Sequence, residues 1–194
     1  MNAEQTEVNL LVTQAFEALR IPYFLCGSMA SSFHGIYRAT ADADFVAAVR
    51  LHQVEPLAAS LRSSFYADAE AIREAVIHGR SFNVIHLEAM LKADVFVLRP
   101  DPFQMIQMRR RIRTPVDATN TRTLFVASAE DTVLAKLDWF RQTGGTSDRQ
   151  WNDILGVLKV QAGALDCAYL AEWARELALS DLLLRAYDDA GLKH

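Results

Sequence analysis

The sequence predicts an α+β chain, with a small mixed sheet and flanking helices over residues 1–127 and a helical region, residues 128–194, packed on it. Three observations predict this. Short apolar runs of strand length alternate with helix-period stretches as far as Val126. From Ser128 onward only helical spacing occurs, opened by two capping-box sequences, Ser128-Ala-Glu-Asp131 and Ser147-Asp-Arg-Gln150. The 194 residues, 51% of them hydrophobic, can bury a sizeable core without disulfides or a structural metal.

Taken in order, Val8, Leu11, Val12, Ala15, Phe16 and Leu19 recur at helical spacing over residues 4–19, and Pro22 sits just past the stop. Tyr23 to Cys26 reads as a short buried strand. Ser28 to Gly35 reads as a short helix with Gly35 as its C-terminal stop. Asp44 to Val49 is nearly all apolar after the aspartates, the pattern of a strand buried on both faces. Helices are expected over 51–61 and 69–78, then a hairpin of strands 81–87 and 92–98, then a helix from Asp101 to about Arg110. Strands 111–116 and 122–126 follow, joined by the turn-forming Asp117-Ala-Thr-Asn120. Four helices complete the chain. Their inward stripes are Val133, Leu134, Leu137 and Phe140; Trp151, Ile154, Leu155 and Leu158; Leu170, Trp173 and Leu177; and Leu183, Leu184 and Tyr187.

Composition excludes several function classes. The formal charge of −4 argues against broad electrostatic binding of nucleic acid. The polar, acidic start Met1-Asn-Ala-Glu-Gln-Thr-Glu7 does not read as a signal peptide, and no apolar run reaches membrane-span length, so a cytoplasmic protein with no membrane partner is expected. Cys26 and Cys167 each sit in an apolar pattern and read as reduced core residues. His34, His52, His78, His86 and His194 show no metal-ligand spacing.

The chemistry concentrates between Gly27 and Asp94. Asp42 and Asp44 are two apart, so on a strand their carboxylates share a face roughly 6–7 Å apart. Two such groups suit a hard divalent ion that also takes substrate phosphates. Gly27-Ser28, at a strand-to-helix turn, offers free backbone amides to phosphate. Asp94 lies within an otherwise apolar strand, where an unpaired charge is expensive and demands a partner. If its strand neighbours that of Asp42 and Asp44, three carboxylates converge on a site for two Mg²⁺ ions. Asp-Ala-Asp-Phe-Val also matches an Asp-x-Asp phosphatase pattern and a glycosyltransferase pattern. In those the apolar strand precedes the aspartates, whereas here it follows them. Arg38 reads equally as a surface ion-pair partner and as a phosphate ligand. Lys136 falls off its helix's apolar stripe and reads as a solvated lysine or a phosphate ligand. Arg109-Arg-Arg-Ile-Arg113 reads as a solvated hairpin face, with contact to an RNA acceptor as the alternative.

Leu25-Cys-Gly27-Ser28, thirteen further residues, and Asp42-Ala-Asp44-Phe45 resemble the signature of the nucleotidyltransferase superfamily that includes DNA polymerase beta. Arg38-Ala-Thr40 before the aspartates is similar to the Arg-x-Thr-x-Asp-x-Asp form of AbiE-type abortive-infection toxins and their bacterial relatives. Lys92-Ala-Asp94-Val95 resembles the second motif of that group, which supplies a third metal ligand. Glu130-Asp131 through Lys136-Leu137, and Ser147-Asp148 through Asp153-Ile154, are similar to its third region. The resemblance spans residue 23 to about 160 and is most specific at the Gly-Ser and Asp-x-Asp pair.

The resemblance implies a nucleotidyltransferase fold. It also implies transfer of a nucleoside monophosphate from a nucleoside triphosphate to an acceptor, RNA, protein or a small molecule, in a toxin–antitoxin setting. Asp42, Asp44 and Asp94 would be the catalytic residues and ligate Mg²⁺ or Mn²⁺. Gly27, Ser28, Arg38, Thr40 and Lys136 would serve the nucleotide phosphates. A non-catalytic nucleotide-binding or antitoxin-like module is the alternative, and a cognate partner protein or a homodimer fits either.

Overall fold

A computed structural model of the chain describes residues 3–117 and 119–192. Ala118 of the expected Asp117–Asn120 turn, the two residues at the start and the two at the end lie outside them. In chain order the elements are α1 (Ala3–Ala18), β1 (Tyr23–Cys26), α2 (Gly27–His34), β2 (Ala43–Ala47), a 3₁₀ turn (Leu51–Gln53), α3 (Val54–Leu61), β3 (Phe65–Tyr66) and α4 (Ala69–His78). They continue with β4 (Ser81–His86), β5 (Lys92–Val97), α5 (Pro102–Arg110), β6 (Ile112–Pro115), β7 (Thr123–Val126), α6 (Ala129–Gln142), α7 (Asp148–Gln161), α8 (Cys167–Glu176) and α9 (Ser180–Ala190).

The chain divides into two compact units. One comprises the residues up to Cys26 with Ala39–Val126, and the other Gly27–Arg38 with the residues from Ala127 onward. The first holds one seven-stranded mixed sheet in the order β3-β4-β5-β2-β1-β7-β6. β2 runs antiparallel to β1 and parallel to β5, while β1 runs parallel to β7. α1, α3, α4 and α5 flank the sheet in sequence. Phe16 of α1, Tyr23 of β1 and Phe45 of β2 pack ring to ring at 5.4–6.3 Å in its core. Such tilted and edge-on pairs add about 0.5–1.5 kcal/mol each beyond area burial.

Three expectations change. β2 alternates, with Ala43, Phe45 and Ala47 buried and Asp44 and Val46 half-buried. One face of this strand therefore carries polar groups and is not buried on both sides. β3 has two residues, too few for periodicity to reveal, and is recognisable only through its pairing with His86 and Ile85. Cys167 is exposed at the start of α8, and Cys26 is half-buried. Neither cysteine forms a disulfide.

In the second unit α2 packs on α6 and α7, and α9 on α7 and α8. Ser128 and Ser147 cap α6 and α7, accepting from the backbone N–H of Asp131 and Gln150 as the capping boxes require. Glu130 and Asp131 are buried and tie down α8. Glu130 accepts from the Asp166 N–H at 3.1 Å, and the Tyr169 hydroxyl donates to Asp131 at 2.6 Å.

His34 closes α2. Its Nε2 lies 2.7 Å from the Ala127 carbonyl, so the neutral ring donates there. Burial holds its pKa below the usual 6.5, against the opposing pull of that carbonyl and of Glu130. The unfolded chain therefore takes up a proton near pH 6.5 that the folded chain refuses. The stability this contributes is present above about pH 6.5 and is lost as pH falls from there toward the depressed folded value. Urea midpoints measured from pH 8 to pH 5 are expected to fall across that window in the wild type and to fall less in His34→Gln.

Candidate active site

In the sheet unit, strand register sets the acidic residues in a row. Cys26 on β1 pairs with Asp44 on β2, Asp44 with Asp94 on β5, and Asp94 with Asn83 on β4. Neighbouring strands lie about 4.8 Å apart, so Asp44 and Asp94 are direct cross-strand neighbours. Asp42 is exposed immediately before β2, and Asp44 and Asp94 are half-buried. Like charges side by side on parallel strands oppose folding unless a cation joins them.

That cation is Lys92, which sequence reasoning passed over as part of the motif around Asp94. Its Nζ lies 2.8 Å from Asp94 Oδ2. Its pKa is raised, chiefly by the hydrogen bond to Asp94, with partial burial pulling the other way and the charges of Asp94, Asp42 and Asp44 adding to the rise. One ammonium thus registers all three carboxylates. Its signal was available: two residues before Asp94 on one strand is the same face. Among the described residues no three His, Cys, Asp or Glu side chains stand in ligating arrangement. The donor set itself, three carboxylates already drawing a cation, suits a hard divalent ion. Thr40, at the approach to these aspartates, accepts at its carbonyl from the Gln5 side-chain amide.

In the helical unit, Gly27 opens α2 at φ 61°, a left-handed conformation that glycine adopts without a Cβ penalty. Ser28 follows. Its Oγ accepts from Arg38 Nη2 at 2.6 Å, and its carbonyl accepts from the Ser31 and Ser32 hydroxyls. The Arg38 guanidinium also grips Asp153 of α7 with both prongs, Nε to Oδ1 at 2.8 Å and Nη2 to Oδ2 at 3.0 Å. Lys136 of α6 completes the network, its Nζ donating to Asp153 Oδ2 at 2.8 Å and to Gln150 Oε1 at 2.9 Å.

The Lys136 and Asp153 side chains are each only 5% exposed, and that of Arg38 is 27% exposed. Burial pushes the Asp153 carboxyl up, but the hydrogen bonds and charges of Arg38 and Lys136 hold it below the usual carboxylate range. Arg38 is raised in turn, first through its hydrogen bond with Asp153. Of the two sequence readings of Lys136, the solvated lysine is therefore not what the structure holds: the residue is buried and paired. The sequence placed Asp153 in the third region of the resemblance but not its partners, which stand 115 and 17 positions away. Arg111 and Arg113 place their guanidinium groups 4.6 and 5.3 Å from the centre of the Phe125 ring on β7.

No family model and no curated sequence matches the chain. Solved structures do. The antibiotic-resistance factor ANT(2'')-Ia aligns at TM-score 0.57 and 12% identity, covering 95% of this chain and all of that one. A nucleotidyltransferase-like protein from Paracoccidioides brasiliensis aligns at 0.57 and 15%, covering 93% of each. The chain has the nucleotidyltransferase fold. The lincosamide adenylyltransferase LnuA, solved with lincomycin bound, is a further neighbour of this fold at TM-score 0.53 and 12% identity, covering 82% of this chain and 98% of that one. Among the described residues no helix is long and apolar enough to cross a membrane.

Proposed function

We propose that this nucleotidyltransferase-fold protein is an enzyme that transfers a nucleoside monophosphate from a nucleoside triphosphate to an acceptor hydroxyl. The observation that carries the reading is Asp44 and Asp94 in register on adjacent parallel strands, with Asp42 acting on the same ammonium as both. In this reading Asp42, Asp44 and Asp94 hold Mg²⁺ or Mn²⁺, which when bound offsets charge on the phosphate oxygens. Gly27 and Ser28 hold the phosphates, Arg38 adds positive charge beside them, and Thr40 shapes the approach to the aspartates.

The acceptor oxygen attacks the α-phosphorus as the bond to the bridging oxygen breaks, and pyrophosphate leaves with that electron pair. Asp94 receives the hydroxyl proton. Positioning and electrostatics supply the acceleration.

A small-molecule hydroxyl is the preferred acceptor. The likeness supports this choice, since it takes in 98% of ANT(2'')-Ia, solved with adenylyl-2''-tobramycin, and 98% of LnuA, solved with lincomycin bound. RNA and protein are the acceptors that the likeness to AbiE-type toxins adds, and a cytoplasmic setting with ready nucleoside triphosphates belongs to the same proposal. One observation favours a second reading, a non-catalytic nucleotide-binding module: Lys92 already neutralises Asp94.

The test incubates the protein with each α-labelled triphosphate, Mg²⁺ or Mn²⁺, and aminoglycosides, lincosamides, total RNA or protein as acceptors, with Asp44→Asn in parallel. Label transfer that falls about 10²–10³-fold in the variant supports the enzyme. Transfer that persists in the variant overturns the ligand assignment. Triphosphate binding without transfer favours the module, and no binding overturns both readings.

A further inference from the structure

We propose that Asp153 is a positioning residue for phosphate, acting through Arg38 to fix the Ser28 hydroxyl as a hydrogen-bond donor to phosphoryl oxygens. The inference rests on the reading above that the Gly27-Ser28 turn meets a triphosphate.

The chemistry starts at Ser28 Oγ, which takes a hydrogen from the Arg38 guanidinium at 2.6 Å. A guanidinium can only donate, and a hydroxyl holds one hydrogen of its own. With Oγ committed as acceptor toward Arg38, its hydrogen is directed elsewhere, and no acceptor for it occurs among the described residues. A half-buried hydroxyl donor beside a cation favours anionic oxygen over neutral acceptors.

Arg38 cannot hold that pose alone, because a free arginine side chain samples many rotamers. Asp153 takes two of its N–H groups in the planar two-pronged geometry that fixes both the direction and the roll of the guanidinium. Lys136 then holds Asp153, from inside the helical unit and nearly out of solvent. The order of action is Lys136 and Asp153 on Arg38, Arg38 on Ser28, and Ser28 on the ligand. Lys136 thus serves the phosphate at three removes, through Asp153, Arg38 and Ser28.

Such a relay predicts non-additivity, which separates it from direct contact and from general loss of structure. The probe is α,β-methylene-ATP with Mg²⁺, titrated by calorimetry into the full-length chain. Ser28→Ala is expected to weaken binding about tenfold, the worth of one charge-assisted hydrogen bond. Arg38→Lys keeps the charge and a contact with Asp153, but one ammonium cannot reproduce the fork that spans Asp153 and Ser28, so it too is expected to lose about tenfold.

In the Ser28→Ala background, Arg38→Lys and Asp153→Asn are each expected to weaken binding no further. Thermal melts report folding separately, and Arg38→Lys serves if Asp153→Asn does not fold. Losses that multiply to about a hundredfold overturn the relay and make Arg38 a phosphate ligand in its own right. Undiminished binding in Arg38→Lys overturns it as well. A wild-type chain that binds no triphosphate overturns the proposed function and this inference with it, whereas binding with multiplicative losses overturns the inference alone.

Discussion

Replacing Asp153 by alanine is expected to lower the unfolding free energy by about 3–5 kcal/mol, read as a fall in the urea midpoint. The carboxylate is the common acceptor of Arg38 and Lys136, and its own side chain is only 5% exposed. Removing it takes from the buried Lys136 ammonium its carboxylate acceptor at 2.8 Å, and the Gln150 oxygen at 2.9 Å is neutral. Removing the carboxylate beside a buried ammonium is the costly case, far costlier than losing the pair's net attraction. Arg38, at 27% exposed, can turn to solvent and loses less. Taking out both buried partners together, as in Lys136→Met with Asp153→Leu, removes both buried charges and is expected to recover most of the lost stability. The same double variant removes the two-pronged Asp153 contact of Arg38, so it is expected to fold and still to bind α,β-methylene-ATP weakly. Full binding by a refolded double variant would show that the ion pair supports the fold alone.

What could be read beforehand follows the range of the interaction. The sheet strands, the α2 turn and the starts of α6 and α7 depend on neighbours within a few residues, and their patterns were legible: alternating burial, a Gly-Ser turn, and serine three residues before an amide that needs an acceptor. The nucleotidyltransferase fold was legible through the family resemblance that Gly27-Ser28 and Asp42-Ala-Asp44 carry. Partnerships across the chain were not. Nothing local to Asp153 marks it as the acceptor of Arg38, 115 positions away, and Lys136 sits outside its helix's apolar stripe yet is buried because a carboxylate awaits it. Arg111 and Arg113 lacked an aromatic neighbour in sequence, and the sheet supplies one from β7 through Phe125. Cys167 looked like core from its apolar neighbours, but at the first turn of α8 its side faces solvent.

Gly35 teaches the same distinction through backbone, and Gly35→Ala is expected to cost about 3 kcal/mol, the upper part of the usual overpacking range. Read from sequence, the residue is the C-terminal stop of α2. In the structure it is not among the glycines at positive φ; what requires glycine is closeness to α7. A Cβ at Gly35 would stand 2.6 Å from the Val157 nitrogen and 2.7 Å from the Gly156 carbonyl carbon. These are backbone atoms of a packed helix, so no side-chain tip can swing aside, and the end of α2 must move off α7. Gly156→Ala is the control, because its Cβ would meet Ile36 no closer than 3.3 Å and the helix interior gains about 1 kcal/mol from the better helix former. That variant is expected to be near neutral, and equal losses in the two would remove the close-approach argument. The displacement in Gly35→Ala also has a functional consequence within the helical unit. Arg38 lies three residues beyond Gly35, and Asp153 lies on the same helix as Val157, so moving α2 from α7 opens the guanidinium fork as well. Melting temperature and α,β-methylene-ATP affinity are therefore expected to fall together in Gly35→Ala and to stay together near wild type in Gly156→Ala.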